Sequence, residues 1–292
     1  MNAADPDPDV EAADRRFRAW MKLNLDQAAD HFGLIVAGAP TCGWRLRSIG
    51  APADGAEGRV WLRVVSERPE WAGGIAWTGN ADANALRGLP KPRLLGTYEW
   101  AEGDWRRQRA EILTFLPGTL CSSTPDARSD IAPPAPWWET LREVAHRLAA
   151  APTDRISIDQ DKIDHRVREA FGGSVDIRIE HWETVHADLH WSNLLADPFG
   201  LLDWELWGRG PVGIDAATLH CYSLAVPSLA RTVRDHFPVL DTPDGHRAQL
   251  YVTARLLRRA RLGDHPHLVE PLRLHAQALL TSLNLTIPSS ML

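Results

Sequence analysis

The sequence predicts an α+β protein in two lobes, a small antiparallel β-rich N-terminal lobe followed by a larger, mostly helical C-terminal lobe. Three observations carry that reading. Short apolar runs separated by turn residues fill the stretch from Leu34 to Leu116. A Pro117-Gly118 break follows, leading into the Ser-, Asp- and Pro-rich segment Cys121 to Pro136. Beyond it, apolar groups recur at helical spacing. A chain of 292 residues can build one large domain or two modest ones, and the break divides it into 1–117 and 118–292.

Taken in order, residues 11–31 place Phe17, Trp20, Met21, Leu25 and Ala28 or Ala29 on one face of a helix. Leu34 to Val36 is a short apolar run ended by Gly38, Pro40 and Gly43. Trp44 to Ile49 and Val60 to Val65 read as strands separated by the turn-rich Ala51 to Gly58, an antiparallel meander. A short helical stretch, Asn80 to Leu86, precedes two further runs, Lys91 to Tyr98 and Ala110 to Phe115. In the second lobe Trp137 to Ala150 aligns Trp138, Leu141, Ala145 and Leu148 as an amphipathic helix. Helical patterns return over 162–171, 215–225, 245–262 and 268–283, with no repeat at a solenoid period.

Composition removes several function classes. Hydrophobic residues are 44% and charged residues 24%, the make-up of a folded globular chain. The net charge of -6 has the wrong sign for a general nucleic-acid binder. Cys42, Cys121 and Cys221 are odd in number and show no metal-like spacing, which points to a reducing compartment. The start, Met1 to Val10, is acidic and contains proline, unlike a secretory signal, and no window is apolar enough to span a membrane. A cytoplasmic protein without a membrane partner is expected. Two biases are unusual: 13 of the aromatic residues are Trp, and the only lysines are Lys22, Lys91 and Lys162.

The densest chemistry lies between His186 and Asp215. Leu194-Leu195 and Leu201-Leu202 flank the turn Asp197-Pro198-Phe199-Gly200, the pattern of a β-hairpin. Asn193 at its entry and Asp203 at its exit then lie side by side, with Asp188 in the loop just before. An Asn and an Asp converging in this way supply hard oxygen ligands for Mg²⁺, and a carboxylate off the metal can accept a proton. A competing reading takes His186, Asp188 and His190, spaced by two, as the metal ligands of a metallohydrolase.

His186-x-Asp188-x-x-x-x-Asn193 followed by Asp203-Trp204-Glu205 resembles the signature of the aminoglycoside phosphotransferase family, relatives of choline kinase and the protein kinases. The resemblance implies a two-lobed protein-kinase-like fold, with Mg²⁺ and with ATP or GTP as phosphoryl donor. It implies Asp188 as catalytic base, Asn193 and Asp203 as metal ligands, and His186, Asp215 and Glu205 as supporting residues. In the nucleotide lobe the strand lysine of the family is missing, and Arg63 is the only cation inside Val60 to Val65. Arginine stays charged and makes bidentate phosphate contacts, so it can take that place. Asp82 is the one acid of the following helical stretch, where the family has a glutamate. Thr114, Phe115 and Leu116, within Ile112 to Gly118, resemble the hinge that reads a purine.

Charge bears on the acceptor. Residues 222–292 carry a net +3 and residues 1–221 a net -9. A +3 acceptor wall is unsuited to a polycation. Arg255, Arg258, Arg259 and Arg261 share a predicted helix, and with His190, Trp191 and Trp207 they are candidate acceptor contacts; Trp137, Trp138 and Trp207 could stack on a sugar or heterocycle, but core packing is the favoured reading of these three. The resemblance therefore implies phosphoryl transfer to a hydroxylated small molecule, an antibiotic or similar sugar-bearing compound, in resistance or self-protection. The alternatives are a metabolic sugar- or choline-type kinase, the metallohydrolase, and a nucleotide-binding pseudokinase.

Overall fold

A computed structural model describes residues 8–173 and 175–286, so most of the acidic start lies outside the described residues. The chain forms two compact units. One contains residues up to Asn84 together with Pro92–Leu116, and the other contains Ala85–Lys91 together with the chain from Pro117 on. The expected division at 117/118 therefore moves by one residue and gains an exchange. Ala85–Lys91 belongs to the helical unit because the Leu201 N–H donates to the Pro90 carbonyl at 2.9 Å. The buried Lys91 ammonium also lies 5.7 Å over the Trp204 ring.

The first unit runs α1 (Pro8–Phe32), β1 (Ile35–Val36), β2 (Thr41–Cys42), β3 (Ser48–Gly55), β4 (Gly58–Glu67), α2 (Ile75–Asp82), β5 (Leu94–Glu102) and β6 (Arg106–Thr114). The sheet order is β1-β3-β4-β6-β5 with β2 also on β3, and every pairing is antiparallel. The apolar face of α1 is the one its periodicity predicts: Met21, Leu25, Ala28 and Ala29 are buried against Ile49, Ala51 and Ala53 of β3, Leu62 and Val64 of β4, and Ala110. Alternate residues of each strand face the helix, as a pleated half-buried strand requires.

Three expectations shift in this unit. Trp44–Leu46 is a 3₁₀ turn in which Arg45 and Leu46 have positive φ, and β3 begins only at Ser48. Ala51 to Gly55 is strand, with the turn confined to Gly55 to Gly58. Ala51 and Ala53 are fully buried beneath α1, and the small side chains that made this stretch look turn-rich let the helix approach the sheet. The helix expected over Asn80 to Leu86 starts earlier, at Ile75, and continues as a short 3₁₀ turn over Ala83–Ala85.

The second unit contains α3 (Ala135–Ala149), α4 (Gln160–Phe171), β7 (Trp182–Val185), β8 (Leu194–Leu195), β9 (Gly200–Leu201), β10 (Gly208–Pro211), α5 (Ile214–Cys221), α6 (Pro227–His236), α7 (Pro243–Arg261) and α8 (Val269–Ser282). β7 pairs with β10 and β8 with β9, both antiparallel. α7 is the central helix, packed on α4, α5 and α8. Helix 215–225 is shorter than its pattern, ending at Cys221, and α6 is an unpredicted helix. Pro227 at its first turn sets the backbone angle for a helix start, and Leu229, Ala230 and Val233 turn inward from an otherwise polar sequence. Trp137, Trp138 and Trp191 form one buried aromatic cluster, with the Trp137 and Trp191 rings stacked at 6.2 Å.

Gly245 marks where this core tolerates no side chain. A Cβ there would lie 1.9 Å from the Val239 carbonyl oxygen, a backbone atom that cannot swing aside. Gly245→Ala is expected to destabilise the chain by about 2–3 kcal/mol, read as a lowered midpoint in thermal or urea denaturation.

Candidate active site

The site on the helical unit is built around the loop leaving β7. Ala187 occupies the left-handed region at φ 68°, a conformation costing roughly 1–2 kcal/mol for a residue with a Cβ. Its neighbours hold it there. Asp215, in the first turn of α5, accepts the Ala187 N–H at 2.8 Å and the His186 N–H at 2.7 Å. Arg255 reaches from α7 and donates to the Ala187 carbonyl at 3.1 Å and to the Thr218 hydroxyl at 3.4 Å. The buried His186 ring bonds through Nε2 to the Leu202 carbonyl at 2.8 Å, so this nitrogen carries the proton, and the ring packs edge-on to Trp204.

Asp188 follows this clamped pair. Its carboxylate lies 3.4 Å from His190 Nε2 and 3.8 Å from the Arg255 guanidinium. Burial by itself would raise the Asp188 carboxyl, but His190, Arg255 and His186 outweigh it and hold the group well below the usual carboxylate range. Asp215 goes the other way: its desolvation exceeds the help from His186 and the two backbone N–H groups, and it is raised. The two carboxylates thus differ because cations outweigh desolvation at Asp188 and do not at Asp215.

Beyond Asp188, the Leu202 N–H donates to the Asn193 carbonyl at 2.8 Å and Leu194 pairs with Leu201, so the predicted hairpin forms. Asn193 donates its amide N–H to the Asp188 carbonyl at 3.0 Å. That contact fixes the amide orientation, because a carbonyl only accepts, and the Asn193 side-chain oxygen accepts no hydrogen bond among the described residues. Asp203 is exposed and, like Ala187, has positive φ, 61°. An amide oxygen and a carboxylate on adjacent ends of one hairpin are the hard donors a magnesium ion takes, with its remaining positions left to water and phosphate. The donor chemistry of these two residues suits a hard divalent cation.

Several expected contacts fall elsewhere. His186 uses Nε2 on the Leu202 carbonyl, and among the described residues the potential ligand atoms of His186, Asp188 and His190 are not gathered as a set of three, so the metallohydrolase ligand set is not assembled. Trp191 is fully buried, donating to Ser223 at 2.9 Å, and Trp207 is buried beneath the Arg155 guanidinium. Neither has a face for an acceptor. Glu205 is buried and its backbone carbonyl accepts from Arg155. Arg255 is engaged with the Ala187 carbonyl and the Thr218 hydroxyl, and Arg258 lies 3.6 Å from Glu169. His190, also buried, remains beside Asp188.

On the first unit, Arg63 lies 3.3 Å from Glu111, its register partner on β6. Asn80 of α2 donates to the same Glu111 oxygen at 2.7 Å, and Arg109 donates to the other at 3.1 Å. Arg109 also pairs with Glu99, which accepts from the Trp77 indole at 3.1 Å. Sequence reading missed Glu111. Its signal was the cross-strand register, visible only once the sheet order is known. Asp82 accepts from Thr78 at 2.7 Å. Thr114 ends β6, exchanging hydrogen bonds with Arg93, and Phe115 and Leu116 are half-buried beyond it.

No family model matches the chain, and no curated protein matches it. Among solved structures, an amicoumacin kinase in complex with AMP-PNP and Ca²⁺ matches with a TM-score of 0.56 at 14% identity, covering 89% of this chain and 93% of its own. The chain has the two-lobed kinase-like fold. A putative fructosamine-3-kinase from Haemophilus somnus shares this fold with a TM-score of 0.50 at 12% identity, covering 89% of this chain and 96% of its own.

Two outcomes follow from that geometry. Asp215→Asn removes one of two carboxylate acceptors from the loop and is expected to cost about 1–3 kcal/mol in a urea denaturation. For Asp188 the folded carboxyl is held low, so its stabilising contribution is present above the unfolded value of about 3.9 and is lost as pH falls through the folded value. The stability gap between wild type and Asp188→Asn should therefore narrow as the pH of the denaturation series drops below about 4.

Proposed function

We propose that the protein is a small-molecule O-phosphotransferase, moving the γ-phosphoryl of ATP or GTP to a hydroxyl of an antibiotic or similar sugar-bearing natural product. The observation that carries this reading is the Asp188–Asn193–Asp203 arrangement. A carboxylate off the cation site is joined, through the Asn193 amide on its own carbonyl, to two oxygen donors on a hairpin. The kinase-like fold supports it, and so does the charge of residues 222–292, which at +3 suits a neutral or anionic acceptor better than a polycation.

Asn193 and Asp203 would hold Mg²⁺, which neutralises charge on the nucleotide phosphates when bound. Asp188 accepts a hydrogen bond from the acceptor hydroxyl and aims its oxygen at the γ-phosphorus. The new P–O bond forms as the bond to the bridging oxygen breaks; the hydroxyl proton passes to Asp188, and the nucleoside diphosphate leaves. With its basicity lowered by His190 and Arg255, Asp188 acts first by orientation. It takes the proton late, when bond formation has made the hydroxyl acidic. Arg63, steadied by Glu111, serves as a phosphate contact, and Thr114, Phe115 and Leu116 line the purine.

The test is mass spectrometry of a panel of hydroxylated antibiotics, sugars and amino alcohols incubated with the protein, Mg²⁺ and ATP or GTP, looking for a phosphoryl mass gain. Asp188→Ala is expected to lower kcat by about 10²–10⁴-fold. Asp203→Ala should abolish turnover, and Arg63→Ala should raise the nucleotide KM by about 10–100-fold, the worth of one charge-assisted contact. Undiminished turnover in Asp188→Ala and Asp203→Ala would overturn the assignment. Nucleotide binding without any turnover would favour a binding protein.

A further inference from the structure

Outside this site, the tertiary fold gathers a second set of metal-ligating side chains that the cysteine spacing did not suggest. The last two residues of α5, His220 and Cys221, meet His275 of α8, with one potential ligand atom from each lying within 4.8 Å of the others. His220 and Cys221 are buried and His275 is half-buried. His220 Nδ1 and His275 Nε2 are both out of solvent with no hydrogen-bond partner. An unpartnered buried ring nitrogen is a cost that folded chains rarely carry without a use. Here the two rings that carry them lie 5.1 Å apart.

We propose that His220, Cys221 and His275 form a zinc site that ties α5 to α8. Two imidazoles and a thiolate are the nitrogen and sulfur donors zinc prefers, and tetrahedral bonds of about 2.0–2.3 Å would draw the ligand atoms to about 3.5 Å apart. Nδ1 is the ring nitrogen nearer the main chain, which lets His220 turn toward the same side as the adjacent Cys221. The Thr253 hydroxyl of α7, 3.7 Å from Sγ, is placed to steady a thiolate. The half-buried side of His275 gives the ion a way in and leaves the fourth position to water.

The surrounding charges permit a cation. Burial pulls His220 down to about 4 and His275 to about 3, so both rings are neutral, the form that binds metal. Arg234 of α6 is the nearby cation acting on both rings, and Asp241 accepts its Nε–H at 2.6 Å. His246 of α7, the remaining neighbour acting on His275, is itself kept neutral by burial. Cys221 is pushed up to about 12 by burial, so zinc must displace the thiol proton. One Zn–S bond forms, one S–H bond breaks, and one proton passes to the buffer. α5 begins with the residues that hold the catalytic loop, since Asp215 is its second residue, so a staple at its other end would stiffen that anchor.

The experiment uses the tag-free full chain stripped with chelator and titrated with Zn²⁺ alone, and in parallel with Co²⁺. Expected are one equivalent bound per chain and one proton released per zinc in calorimetry across buffers. A thiolate-to-cobalt charge-transfer band and a rise in Tm complete the signature. Cys221→Ser should abolish the band. His275→Gln, on the half-buried ligand, covers the case in which the cysteine variant misfolds and should weaken binding by about 100-fold or more. Asn193→Ala should leave zinc binding unchanged, which separates this proposal from the phosphotransferase reading. Absence of stoichiometric binding, a cobalt spectrum lacking the thiolate band, or wild-type affinity in both ligand variants would overturn it.

Discussion

The helical unit depends on one interaction, the Asp215 carboxylate accepting the backbone N–H groups of His186 and Ala187. Ala187 has a Cβ and no local reason to adopt positive φ. Without an acceptor for its N–H and a donor for its carbonyl, the loop would relax toward an extended conformation and Asp188 would turn away from Asn193. The carboxylate has a cost of its own, since desolvation raises it. A buried acid with two backbone donors is therefore poised between support and penalty, and Arg255 on the Ala187 carbonyl helps hold the balance.

From that anchor the chemistry of the site follows by adjacency. Asp188 is left facing His190 and Arg255, which lower its basicity, while Asn193 is oriented by a carbonyl so that its oxygen is available. Arg255 connects the two effects, reaching both the backbone it steadies and the carboxylate it biases. On the other unit the same economy appears in a different arrangement. The carboxylate meeting Arg63 comes from the neighbouring strand, and Asn80 of α2 bonds to that carboxylate instead of supplying one. Lysine scarcity thus leads to a strand-to-strand arginine–glutamate pair, and Arg109 and Glu99 extend it.

Much of this was legible beforehand because it is local. The hairpin from Asn193 to Asp203 is announced by apolar pairs around a Pro/Gly turn, and the face of α1 by its period. The errors share a cause. Ala51 and Ala53 looked like turn residues because their small size serves α1, a partner distant in sequence. α6 was missed because its inward residues are few and its sequence polar. By chemical type Trp191, Trp207 and Arg255 suit acceptor contacts, yet their directions are set by Ser223, Arg155 and the Ala187 carbonyl.

The sequence by itself determined the α+β lobes, the order of the chemical groups from His186 to Asp215, and the shortage of lysine that makes Arg63 the strand cation. Those properties depend on spacing and composition, which a linear chain already contains. Only the tertiary structure decided which carboxylate meets Arg63, which arginine turns inward to Asp188, and that Cys221 keeps company with two histidines. Each of these rests on contacts between segments far apart in the chain, where packing of helices and register of strands, not local propensity, select the neighbour.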